Sequence, residues 1–182
     1  MGLLDIVNEE DLVVGREDFI KVHCEGLRHR SVQLLLFKYP GYQINNELLL
    51  AQRSKRQETS SMLFHPSAGG HVRSRQTYIE AALNQLRDEL FNEIGSLPTG
   101  ISFKEICRYK NDTRPTNREN TRLYVASYPG PFFPDPKEIE CVFWKKTVDV
   151  SLDMASNADG YTQSFINAMR NYMKWQKDNV TR

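Results

Sequence analysis

Residues 77–94, TYIEAALNQLRDELFNEI, carry the clearest periodic signal in the chain, and a helix here constrains what can surround it. At 100° per residue, Ile79, Leu83, Leu86, Leu90 and Ile94 fall within roughly 80° of one another, a stripe that faces a core. Thr77 followed by Glu80 predicts a capping box, and Gly95 predicts the stop. On nearly the opposite side, Gln85, Asp88, Glu89 and Asn92 fall within roughly 100° of one another. Most other apolar runs read as strands, so this helix has a sheet to pack against.

Those runs come in order. LDIVNEEDLVVG predicts a small hairpin ending at Gly15, and REDFIKVHCEGL has helical spacing for one or two turns. SVQLLLF at 31–37, the turn YPGYQINN and then ELLLAQRS predict a second hairpin. KRQETSSMLFHPS is polar and irregular, a loop. FKEICRYK, NTRLYVASY and EIECVFWKK are further strands, with the proline-rich PGPFFPDP as a rigid loop between the last two. Phe165, Ile166, Met169, Tyr172, Met173 and Trp175 give residues 160–177 near-helical spacing. One central helix, one terminal helix and these strands predict an α+β layered domain with a mixed sheet. At 182 residues this is a single domain, 1–182.

Composition excludes more than it assigns. A formal net charge of +1 gives no global reason to expect nucleic acid or a membrane surface as partner. No run approaches a membrane span, and the acidic start MGLLDIVNEEDLVV is unlike a signal peptide, so a cytoplasmic protein is expected. Cys24, Cys107 and Cys141 are scattered, with no CxxC pair.

The polar helix face has two readings. It is a solvated face, or it is a Mg²⁺ site, since carboxylates at helical neighbour spacing converge on one point and hard cations take oxygen ligands. Asp88 and Glu89 would then be ligands, with the Gln85 carbonyl as a weak third.

The strand pair HRSVQLLLF and ELLLAQRS, then HPSAGGHV, then EAALNQLRDEL, resembles the Nudix superfamily, and most closely its branch related to isopentenyl-diphosphate isomerase. NRENTRLYVASYPGPF, DPKEIECVFW and the C-terminal helix follow in the family's order, so the likeness covers nearly the whole chain. It implies an α/β/α sandwich around a mixed sheet. The Nudix motif, GX5EX7REUXEEXGU with U aliphatic, lies without a gap from Gly70: its first glutamate falls on Gln76, its arginine on Asn84, its next glutamate on Gln85, its acidic pair on Asp88 and Glu89, its closing glycine on Phe91. Two of the four acids remain, a degenerate box. A second register, through ELFNEIG, puts Glu89 and Glu93 in metal positions and closes on Gly95. The ungapped register is preferred because EAALNQL then matches the family's EAAxREL, leaving small Ala81 and Ala82 where the helix packs closely.

By this resemblance the chain is a hydrolase of a diphosphate linkage in a small, nucleotide-like substrate, dependent on Mg²⁺ or Mn²⁺, with weak or unusual activity. Glu89, Asp88 and Gln85 form its catalytic set, and Gly70, Arg53 and Arg30 lie toward substrate phosphates; each arginine reads equally as a surface residue. The amides at Gln85 and Asn84 weaken metal binding and remove the arginine that orients the glutamates, which leaves a non-catalytic diphosphate-binding module as the alternative. The isomerase reading is disfavoured. Ala68 stands where that resemblance puts the cysteine, and Thr121 stands at the catalytic glutamate. His29 and His71 match two of the isomerase's metal histidines, His23 lies near the third, and Glu119 matches a family glutamate. This set would suit Zn²⁺ or Mn²⁺, or the histidines are structural. Loops 54–67 and 110–118 are where substrate selectivity is expected, and a homodimer is left open.

Overall fold

Nine strands and four α-helices are laid out in a computed structural model that describes residues 2–41 and 45–179. The N-terminal hairpin is β1 (Leu3–Val7) and β2 (Val13–Asp18). Asp18 then caps α1 (Phe19–Glu25) by accepting from the Ile20 N–H, and Gly26 ends it in the left-handed region at φ 65°. No side chain would fit at Gly26, because a Cβ would fall 2.5 Å from the Pro115 carbonyl oxygen. The chain continues through β3 (His29–Phe37), β4 (Glu47–Arg53), β5 (Phe64–His65), β6 (Ala68–His71), α2 (Tyr78–Leu90), β7 (Ser102–Lys110), β8 (Glu119–Ser127), β9 (Ile139–Lys146), α3 (Thr147–Ser156) and α4 (Gln163–Asn179).

The sheet is organised by β3. One edge of β3 pairs along its whole length with β8, in parallel. The other edge is shared: Ile6 of β1 at His29, β6 along residues 31–34, and β4 at Phe37. The expected β3–β4 hairpin therefore meets only at Phe37 and Leu48 and then splays. Its turn lies partly outside the described residues, at 42–44. Beyond the split, β4 pairs with β9 along residues 47–53, and β6 lies against β3 where a hairpin partner would have been.

Both faces of β3 are covered, which is why its sequence does not alternate. Val32, Leu34 and Leu36 join Leu49, Ala51, Ala68, Tyr124 and Ala126 under α2. Leu35 and Phe37 join Leu48, Leu50, Leu123 and Val125 under Phe165, Met169 and Tyr172 of α4 and Val150 of α3. The result is an α/β/α sandwich around a mixed sheet, as expected. Helix α3 has no counterpart in the sequence reading, and a short strand, β5, lies within the expected loop at 55–67.

Helix α2 differs from its expectation in length and in rotation. It ends at Leu90 rather than near Gly95, and Ile79 and Ile94, placed in the core stripe, are each 51% exposed. The buried face is Tyr78, Ala81, Ala82, Leu86, Glu89 and Leu90. Its centre lies about 90° from that of the predicted stripe. The cause is the partner: Ala81 and Ala82 let the helix approach a sheet edge made of glycines, and that close approach sets the rotation. The capping box at Thr77 and Glu80 is present.

Candidate functional site

The rotation of α2 decides the fate of its polar residues. Glu89, near the middle of the buried face, accepts a 2.9 Å hydrogen bond from the Gly69 backbone N–H on the edge of β6. Burial drives its carboxyl up to about 8, and the Gly69 hydrogen bond only partly offsets this. Gln85 lies over Gly70, where a Cβ would fall 2.6 Å from its Nε2. Asp88 instead faces solvent and pairs with its neighbour Arg87 at 2.7 Å. Glu93 is exposed beyond the helix end. The structure thus brings Glu89, Gln85 and Gly70 together and leaves Asp88 and Glu93 outside. Among the acids of α2 only Glu89 is buried, and the charges of Glu138 and Asp88 act on it from outside the buried face.

The expected phosphate-binding arginines are both engaged. Arg53 donates to Gln57 Oε1 at 2.8 Å and to the Thr59 carbonyl at 3.2 Å. Arg30 donates to Asp11 Oδ1 at 2.8 Å.

The histidines and Glu119 do converge. Helix α1 supplies His23, β3 supplies His29, β6 supplies His71, and β8, in register with β3, sets Glu119 opposite His29. One nitrogen from each of the three imidazoles lies within 4.8 Å of the other two. His71 Nε2 is 3.2 Å from His23 Nε2 and 3.4 Å from Glu119 Oε1, and His29 Nε2 is 3.8 Å from the same oxygen.

The second nitrogens fix the tautomers. His23 Nδ1–H donates to the Phe19 carbonyl at 2.8 Å, and His29 Nδ1–H to the Leu27 carbonyl at 2.9 Å. With the protons on Nδ1, both Nε2 lone pairs face the cluster, the arrangement that metal-bound histidines use. His29 Nε2 is buried and has no hydrogen-bond partner among the described residues. Burial depresses His29 to about 4, so it is neutral at neutral pH. Burial acts to raise Glu119, but the hydrogen bond and charge of His71, with His29 and Asn111, hold it below the usual carboxylate range. Asn111 reaches Glu119 Oε2 at 2.7 Å and is itself held by Asn167 of α4. Three imidazoles and one ionised carboxylate, with the buried His29 Nε2 unpartnered among the described residues, offer the donor types that a borderline dication such as Mn²⁺ or Zn²⁺ takes.

Around the cluster, on the same face, Ser31 and Thr121 share a buried 2.7 Å hydroxyl hydrogen bond, and Tyr109 donates to Gln33 Oε1 at 2.7 Å. The residue directly before the Gly70–His71 pair is Gly69, so Gly69 rather than Ala68 has the position beside the histidine; Ala68 is buried under α2. Neither carries a thiol. Asn111 and Ser31 escaped the sequence reading, since a lone polar residue after or within a strand carries no periodic signal. His65, given no role from sequence, is buried with Nε2 unpartnered among the described residues.

No protein-family model matches the chain. An isopentenyl-diphosphate Delta-isomerase of Serratia proteamaculans is 25% identical over 92% of this chain and 89% of its own length. An uncharacterized Nudix hydrolase of Yersinia pestis is 27% identical over 91% of this chain and 82% of its own. Among solved structures, DR0079 from Deinococcus radiodurans superimposes with a TM-score of 0.68 over 85% of this chain and 90% of its own, at 24% identity. The NUDIX domain of Shewanella oneidensis NrtR, solved with ADP ribose, superimposes with a TM-score of 0.57 over 79% of this chain and 85% of its own, at 18% identity.

Proposed function

From a chain with the Nudix fold, similar in sequence to Nudix hydrolases and to isopentenyl-diphosphate isomerases, we propose a divalent-metal hydrolase that cleaves a diphosphate linkage in a small, nucleotide-like molecule, within one domain over residues 1–182. The observation that carries this reading is the convergence of His23, His29, His71 and Glu119, with the His29 Nε2 lone pair buried and unpartnered among the described residues. Mn²⁺ suits this donor set better than Mg²⁺, which prefers oxygen. A bound ion would neutralise diphosphate charge and polarise an attacking water.

The protein's own groups divide the remaining work. Glu119 stays ionised, with Asn111 on one oxygen and the other turned to the histidines, so it would complete the donor set that holds the ion. Glu89 keeps its proton below about pH 8 and can give it to an oxygen arriving at the edge of β6. Isomerisation is not proposed: no thiol stands at Ala68 or Gly69, and the Thr121 hydroxyl is bound to Ser31.

A second reading, a binding module without turnover, is favoured by Asp88 facing solvent and by the amides at Gln76, Asn84 and Gln85. Phosphate release from nucleoside diphosphate-linked compounds and from allylic diphosphates, with Mn²⁺ or Mg²⁺, separates the two. Hydrolysis that falls at least about 100-fold in His71→Ala and in Glu89→Gln supports the enzyme. Compounds that raise the melting temperature without any release leave the module and end the hydrolase reading.

A further inference from the structure

Five cations gather about one turn: Arg28 and Arg30 at the start of β3, Lys110 at the end of β7, Arg118 just before β8 and Arg122 within it. The acidic turn joining β1 to β2, Asn8-Glu9-Glu10-Asp11, lies across them. Glu9 Oε1 is 3.3 Å from Arg28 Nε and 3.5 Å from Arg118 Nη2, while Glu9 Oε2 pairs with Lys110. Asp11 accepts from Arg30 Nε and from the Tyr78 hydroxyl, at 2.8 and 2.9 Å, with Arg122 Nη2 at 3.9 Å. The turn therefore sets two carboxylates on the cationic surface that loop 110–118 and Arg30 would otherwise offer to a phosphate.

These carboxylates leave the donors incompletely used. Arg28 is only 6% exposed, yet its Nε is buried with no hydrogen-bond partner among the described residues, because Glu9 stands near it without the alignment a hydrogen bond needs. Arg122 Nε is buried and unpartnered in the same way. An open cleft of about 340 Å³ is lined by Arg28 and Arg118, by Glu9 and a second carboxylate, Glu25, and by Leu27 and Gly26. Asp112 retains Arg28 Nη1 and Nη2 at 2.9 and 2.8 Å, so the Nε donor, Lys110 and Arg118 are what Glu9 holds.

We infer that this cleft is a phosphate-binding site that Glu9 fills in the free protein. A carboxylate has two oxygens in a plane for three cationic groups arranged around it. A tetrahedral phosphate group offers three, one for each of Arg28 Nε, Lys110 and Arg118. The exchange needs no unfolding of the hairpin. Asn8 Oδ1 anchors the turn by accepting from the Glu10 and Leu12 N–H groups, and the Glu9 side chain, 48% exposed, has only to rotate into solvent. The site takes a free phosphate or the phosphate end of a small molecule, and none of its three cationic groups belongs to the histidine cluster.

Isothermal titration at low salt, in EDTA, tests this with pyrophosphate, inorganic phosphate and a nucleoside monophosphate as probes. The EDTA keeps the result independent of any metal at the histidines. Glu9→Gln should bind pyrophosphate about tenfold more tightly than wild type, because one opposing charge leaves the site. Adding Arg118→Ala should abolish that gain, and adding His71→Ala should leave it. Equal affinity in wild type and in folded Glu9→Gln overturns the inference, as does a gain that survives Arg118→Ala. Should Glu9→Gln not fold, Arg118→Ala alone carries the test. It must weaken pyrophosphate binding to the wild-type background severalfold by phosphorus NMR line width, and unchanged binding refutes the site. Inorganic phosphate matching the nucleotide would mean that the cleft reads the phosphate group alone; the nucleotide binding more tightly would mean a ligand with more than its phosphate in the cleft.

Discussion

Glu89 and His29 are both buried, and burial displaces their titrations in opposite directions. Glu89 binds its proton more tightly in the folded protein, up to about 8 against an ordinary 4.5. Its contribution to stability is full below the ordinary value and is lost as pH rises through about 8. His29 binds its proton less tightly, about 4 against 6.5, so its contribution is present above 6.5 and is lost as pH falls through about 4. Stability should therefore decline at both ends of the range for different residues. Glu89→Gln should flatten the alkaline side, gaining on wild type between pH 5 and pH 8.5 by on the order of 1–3 kcal/mol in urea denaturation. Parallel curves for the two proteins over that interval would mean that Glu89 is hydrated and ionised. His29→Gln should flatten the acid side between pH 6.5 and pH 4 and leave the alkaline side alone.

At the level of the element, β6 is two glycines between the core residue Ala68 and His71, and each glycine meets a different neighbour. A Cβ on Gly69 would fall 2.9 Å from the Val32 carbonyl oxygen, which is backbone in β3 and cannot yield cheaply. A Cβ on Gly70 would meet the end of the Gln85 side chain, which can turn aside. Gly69→Ala should cost about 1–3 kcal/mol and Gly70→Ala less than about 1 kcal/mol, read by thermal or chemical denaturation. Equal costs would show that β6 does not lie against β3 as described. The same strand shows what the sequence could and could not disclose. Periodicity located α2 and its cap, because those depend on residues within the helix. It misjudged which face is buried, because the rotation is set by Ala81 and Ala82 seeking a glycine edge whose residues carry no hydropathy signal. Leu83 and Ile79 look like core residues to any periodic count, while Glu89 does not. Likewise β3 was legible as a strand from SVQLLLF, but its splaying from β4 depends on β6 and β9, distant in sequence. The histidines were legible as candidates through their likeness to a family, whereas Asn111 and Asn167, which hold Glu119 in place, gave nothing to read.

Across the whole molecule, the histidine cluster ties together parts of the chain that meet only when the sandwich is assembled. His23 belongs to α1, His29 to the strand that organises the sheet, His71 to the glycine edge, and Glu119 to β8, whose parallel pairing with β3 closes late in sequence. An unfolded chain cannot present these four groups at one point, so an ion that binds them binds the folded state alone, and its binding free energy appears as stability. At a free metal concentration about 100 times the dissociation constant, the gain is about 2.7 kcal/mol. Mn²⁺ or Zn²⁺ added to the EDTA-treated protein should raise the melting temperature by several degrees at pH 7.5. The gain should shrink as pH falls, since protons compete with the ion for imidazole lone pairs, and it should vanish in His71→Ala or Glu119→Gln at any pH. Glu9→Gln and Glu89→Gln lie outside the cluster and should keep it. No metal-dependent shift in the wild type at pH 7.5 would show that the three imidazoles are a structural cluster, and the proposed hydrolase would lose its metal centre; a shift retained in His71→Ala would place the ion elsewhere, with Glu89 then the residue to test.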